Sequence, residues 1–262
     1  MNQTFDFTRF GMLFKKHTIE NYKTYLMSVA VLAGLLLLVM GVTSYNTEGY
    51  LPQGFQFGIF MAFLLLAGCI FTSMIFSEMG DKKKAIPALT LPASHFEKYL
   101  VGWLYSFLIF QVLYVGIYYL IATVVVQMGQ PGTLQHPNSV INIFTNDFKP
   151  HPYYTFIIYT FLHSLTIWGA IYFEKLHFIK TGFAFFIAAF AFGLINKPII
   201  GAMINEKIDG TTFFSPISFT DGKQYWSVHA VSMPDYSGAI VLGLVVLILW
   251  ISAYYRLKEK EV

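Results

Sequence analysis

FSEMGDKKKAIPALTLPASHFEKYLVGW, residues 76–103, is the stretch on which the reading of this chain turns. Three consecutive lysines, Lys82, Lys83 and Lys84, lead into a semi-apolar turn at 85–91. Pro92, Ala93 and Ser94 follow, then Glu97 and Lys98. Apolar runs long enough to cross a bilayer stand on both sides. A charged segment lodged between such runs predicts a loop between membrane spans, and the place where the protein meets something outside the lipid.

Composition points the same way. Hydrophobic residues make up 56% of the chain and charged residues 12%, about half the 25% usual in soluble domains. Aromatics reach 18%, which suits lipid-facing surfaces and interfacial belts. A chain of 262 residues holding six spans leaves no room for a sizeable soluble domain. The single cysteine, Cys69, excludes an internal disulfide or a cysteine-based metal site. A polar, charged segment precedes the first apolar run and no small-residue cleavage site follows that run, so a retained signal-anchor span is expected.

The predicted fold is an all-α polytopic membrane protein, one transmembrane domain over residues 1–262. Spans are expected near 25–43, 55–76, 99–128, 153–173, 182–204 and 237–255, since about 20 residues at 1.5 Å each cross a core of roughly 30 Å. Residues 1–24 carry Phe5, Phe7, Phe10, Leu13 and Phe14 at helical spacing with Arg9, Lys15, Lys16 and Lys23. That pattern predicts an amphipathic helix lying in the headgroup plane. Gly54 and Gly58 have the small-xxx-small spacing of close helix packing, a weak signal in so apolar a chain. Residues 129–152, with four prolines, read as an exposed loop, 174–180 as a short charged turn, and 205–236 as an extracellular segment. Of the 17 Lys and Arg, 13 fall on the side of the termini, 77–98 and 174–180. This distribution predicts cytoplasmic termini.

No GxxxxGK[ST], HExxH, GxSxG or CxxC pattern is present, so no nucleotide hydrolysis by a phosphate loop is expected of this chain. His163 lies deep in a span, where a hydrogen bond to a neighbouring span, helped by nearby Ser164 and Thr166, would account for it, or else a role in relaying protons or binding a ligand. Lys197 also falls within a span, followed by Pro198. Snorkelling would satisfy its charge, while the proline favours a helix break with 199–204 as a short half-helix. Gln56, Gln111 and Gln127 are expected to hydrogen-bond between helices. His163, Gln111, Lys197 and Pro198 are the candidates for a pathway or gate.

The segment 77–98 resembles the cytoplasmic segment of the type-2 ABC exporter permeases. In that family the second span ends near an acidic residue and runs into a short helix with a leucine–hydrophobic–proline–small–serine signature, then an acidic residue and the third span. Phe76, Ser77 and Glu78 end the span here, and Leu89-Thr90-Leu91-Pro92-Ala93-Ser94 matches the signature. The family's Glu-Arg-Gly-Thr run is replaced by Gly80-Asp81-Lys82-Lys83-Lys84, and its Gly-Lys in the next span is Gly102-Trp103. The resemblance implies a short coupling helix at 85–91 that docks a separate ATPase. Glu78, Lys82, Lys83, Lys84, Ile86, Leu89, Leu91, Pro92, Ser94 and Glu97 would form the docking segment.

It further implies a transport subunit, not an enzyme, of the bacterial cytoplasmic (inner) membrane. This chain would bind no cofactor; ATP and Mg would sit on the ATPase. Its partners would be that ATPase, a second permease copy or homologue, and the bilayer, with no nucleic acid. The competing expectation is a membrane scaffold or sensor of an envelope complex, with the three-lysine loop as a lipid or protein contact only.

Overall fold

The computed structural model describes residues 5–80, 93–129, 138–144, 154–173, 175–204, 208–210, 217–221, 224–228 and 237–259. The expected coupling helix at 85–91 lies outside the described residues, with Lys82, Lys83, Lys84, Ile86, Leu89, Leu91 and Pro92; so does the side chain of Glu78. Among the described residues six helices are long and apolar enough to cross a membrane, and the membrane part is all-α and polytopic. They are α1 (Phe7–Asn46), α2 (Gln53–Gly80), α3 (His95–Met128), α4 (Tyr154–Tyr172), α5 (His177–Ile204) and α6 (Ser237–Lys258).

The expected interfacial helix is not a separate element. It is the first half of α1, a 40-residue helix with no interruption between the basic segment and the first apolar run. At 1.5 Å per residue α1 is about 60 Å long, twice the roughly 30 Å hydrocarbon core. Nothing in residues 20–28 breaks a helix, and Asp6 caps its start by accepting from the backbone N–H of Thr8 and Arg9. Those two bonds, that of Arg9 first, hold the Asp6 carboxyl below its ordinary value of 3.8. The cap's contribution is therefore present above the usual carboxylate range and is lost as pH falls through the lowered value.

The core is aromatic and sits where α1, α2, α3 and α4 meet. Leu36 and Met40 of α1 pack with Phe60 and Leu64 of α2, Tyr114 and Tyr118 of α3, and Tyr159 of α4, all with no exposed surface. The buried hydroxyls are satisfied by backbone: Tyr114 donates to Phe60 O (2.8 Å) and Tyr118 to Gln56 O (3.1 Å). Close helix approach occurs at Gly68, where a Cβ would collide with the Tyr159 ring, and at Gly169, where it would meet Thr181. A Cβ at Gly54 or Gly58 would touch nothing within 4 Å, so those two do not form a packing seam.

The 129–152 connection was expected to be exposed. Within its described part, 138–144, Ile141 and Ile143 are buried instead. Gln56 explains this. Its Nε2 donates to Leu51 O and Ser139 O and its Oε1 accepts from the Ile141 N–H, all at 2.9 Å. Gln56 thus bonds loop backbone rather than another span. Gln56→Leu keeps the buried volume but orphans the Ile141 N–H, so a loss of about 1–2 kcal/mol is expected, read as faster proteolysis at 138–144.

α5 continues through Pro198 without the break expected there. A proline in a membrane helix costs one backbone bond, which local adjustment re-satisfies. Lys197 and Pro198 are both exposed on the surface of the single chain. Within 205–236 the described residues form a three-stranded antiparallel sheet, β1 (Ile208–Gly210), β2 (Ile217–Asp221) and β3 (Gln224–Val228), in the order β1-β2-β3. The β2–β3 register pairs Ile217 with Val228 and Asp221 with Gln224.

Candidate functional site

The site is a joint where α3 begins, next to the segment 81–92. Ser94 N-caps α3, its side chain accepting from the Glu97 backbone N–H (3.2 Å). Glu97 returns the bond, Oε2 accepting from the Ser94 N–H (2.9 Å). This is a capping box, and its sequence signature, Ser-x-x-Glu before an apolar run, was available in the chain.

Glu97 does more than cap. Its other oxygen, Oε1, accepts from the Asp6 backbone N–H (2.8 Å) and from Arg9 Nη2 (3.1 Å). The carboxylate is fully buried, whereas the Arg9 side chain is 30% exposed. Both oxygens of an ionised group are thus engaged, which is the condition for holding a charge away from water. Ser94 and Glu97, expected within a docking surface, are turned inward onto each other and onto α1. Asp6 and Arg9 were not singled out as site residues. They lie some 90 positions away, and no local signal pairs them with Glu97.

An aromatic layer extends the joint. Phe5 meets Phe96 (5.9 Å between ring centroids), and Tyr254 of α6 meets both Phe96 and Tyr99 (5.8 Å each). The Tyr99 hydroxyl donates to Trp250 O (3.1 Å), and Phe76 at the end of α2 contacts the Tyr99 ring (5.8 Å). The starts of α1 and α3 and the ends of α2 and α6 are therefore one packed unit.

Nine residues on, α3 changes form. Leu104–Ile109 is a π-helical segment between two α-helical stretches. Such segments in membrane and soluble helices frequently mark functional positions. Ser106, in that segment, bonds His163 Nε2 through its hydroxyl (2.9 Å), and its carbonyl accepts from the Tyr159 hydroxyl (2.8 Å). His163 is fully buried among Phe107, Tyr159 and Trp250. Its expected bond to a neighbouring span is this one to Ser106; the Ser164 and Thr166 hydroxyls bond carbonyls of their own helix.

His163 Nδ1, Trp250 Nε1 and Gln111 Nε2 are buried atoms without a hydrogen-bond partner among the described residues. Because His163 already carries one unpaired nitrogen, His163→Leu removes that cost along with one bond. The melting temperature is expected to move by less than about 4 °C, measured on detergent-purified protein.

Of the other candidate gate residues, Gln111 is half-buried in the spanning part of α3, while Lys197 and Pro198 stand at the surface. The four are not brought together. Among the described residues no group of three His, Cys, Asp or Glu could hold a metal. The arrangement ties the starts of α1 and α3 to the ends of α2 and α6. Comparison of the chain with protein-family models, with curated proteins and with solved structures finds no match.

Proposed function

We propose that this chain is the membrane-spanning permease subunit of an ATP-binding-cassette transporter, working as an exporter with a separate ATPase docked on residues 77–98. The observation that carries the reading is the Glu97 joint. A force applied to 81–92 reaches the end of α2 directly and the start of α3 through the Ser94 cap. Through the two bonds of Glu97 it also reaches the start of α1. One cytoplasmic contact would then move three spans, as alternating access requires.

Two further features support it. α5 has no buried residue in its most apolar 18-residue window, which leaves a long face for a second permease copy. The π-segment of α3 gives the moving helix a place where its hydrogen bonds can shift register.

Co-purification from the native membrane tests the proposal. A Walker-type ATPase should come with the chain. Deleting 85–91, or changing Lys82, Lys83 and Lys84 to Glu, should remove the ATPase while leaving the purified chain folded. Binding that survives the 85–91 deletion would overturn the docking role. Purification with no ATPase would leave the scaffold or sensor reading in its place.

A further inference from the structure

The splay between α1 and α2 leaves a groove of about 660 Å³ floored by α3. Among its walls are Leu32 of α1, Phe63 and Ile70 of α2, and Ile109 and Leu113 of α3. Only four lining residues carry hydroxyls, and each is already engaged within the protein. Tyr25 pairs with His17 Nε2 (2.5 Å), Tyr105 with Thr18, Tyr114 with Phe60 O (2.8 Å), and Ser28 with Thr24 O (2.9 Å). No polar group on the lining is offered to a ligand, so the groove suits hydrocarbon.

Its length sets which hydrocarbon. The α2 wall runs from Ala62 to Met74, about 18 Å of helix, close to one leaflet's share, about 15 Å, of the hydrocarbon core. At mid-membrane the groove closes, because Leu36 and Met40 turn α1 into the core with no exposed surface. A transmembrane helix of a second copy would need a seam through the whole bilayer. A single chain from one leaflet needs half.

Charge at the open end selects the headgroup. Met27, Val31 and Leu35, which line the groove, recur every fourth residue. Lys23 and Lys16 continue the same stripe of α1 toward its start, and both are exposed. Lys16 is partly offset by Glu20 (3.7 Å), while Lys23 lies beside the exposed Tyr22 ring (5.9 Å). From these features we infer that the groove holds one acyl chain of an anionic phospholipid, drawn from the leaflet at which α1 begins. This rests on the membrane-spanning fold and not on the transport reading.

The full chain in vesicles of phosphatidylethanolamine and phosphatidylglycerol, doped with phosphatidylglycerol carrying an acyl-chain diazirine, provides the test. Photolabelled peptides should concentrate on 27–35, 62–74 and 109–117. The expected excess is about fivefold per residue over the outward Leu244, Leu247, Ile248 and Ile251 of α6, which are more exposed than most of the groove lining. Ala67→Trp, which fills the groove, should abolish that excess. Lys16→Glu with Lys23→Glu, outside the hydrocarbon, should lower it without changing the fold, and covers the case in which Ala67→Trp does not fold.

Labelling spread evenly over the outward faces would overturn the site. Equal labelling by a phosphatidylcholine probe would overturn the anionic headgroup. A groove shielded from label, with Leu66→Cys forming disulfides between copies, would replace the lipid with a second protomer.

Discussion

Glu97→Ala is expected to destabilise the purified protein by about 3 kcal/mol, the scale seen when one partner of a buried ionic hydrogen-bond group is removed. Three donors lose their acceptor together: the Asp6 and Ser94 N–H groups and the Arg9 guanidinium. Glu97→Gln separates charge from shape. It keeps one acceptor oxygen, so the capping box or the α1 contact survives but not both, and about half the loss is expected. Arg9→Ala removes a side chain that is 30% exposed, and about 1 kcal/mol or less should follow. Melting temperatures in detergent would rank the three. If Arg9→Ala costs as much as Glu97→Ala, the joint is an ion pair and not a backbone latch. Under the proposed function Glu97→Ala should also release ATPase activity from transport while the ATPase stays bound.

Gly68→Leu should be more damaging still to assembly. A Cβ at this position already collides with the Tyr159 ring, a fully buried side chain fixed by its bond to Ser106 O. α4 would have to move away from α2. Overpacking by one methyl costs about 1–3 kcal/mol and by a larger side chain more. Gly68→Ala should lower the melting temperature by several degrees, on the order of 2–4 °C per kcal/mol for a chain of this size. Gly68→Leu should fail to give monodisperse protein. Gly58→Leu is the control: nothing lies within 4 Å of a Cβ there, and no loss is expected. An equal effect at both positions would show that the Gly68 contact is not what holds α2 to α4.

How much of this was legible depended on range. The six spans were, because about 20 apolar residues in a row state a membrane helix without help from the rest of the chain. Their ends were less so. Lys15, Lys16 and Lys23 carry the pattern of an interfacial helix, and that pattern says nothing of whether the backbone breaks before the span. Pro198 suggested a stop, but a helix in lipid has no water to satisfy freed backbone groups, so continuing is the cheaper course. In 129–152 the prolines and asparagines suggested exposure, and Ile141 and Ile143 were outvoted by their neighbours. The Ser94–Glu97 cap was readable from local spacing. Its use as an anchor for Asp6 and Arg9 was not, since a contact across about 90 residues leaves no periodic trace. The π-segment is equally silent: LYSFLI reads as ordinary helix.

The separation of Asp6 from Glu97 has a consequence for biogenesis. At ribosomal rates of about 5–20 residues per second, roughly 5–18 s pass between the synthesis of the two partners. During that interval α1 must enter the bilayer and wait with its basic end unanchored, while α2 is threaded beside it. The carboxylate that fixes α1 arrives only with the start of α3. The contact that fixes the start of α1 can therefore form only after the start of α3 has been made, so it is the last of the first three spans that closes the joint.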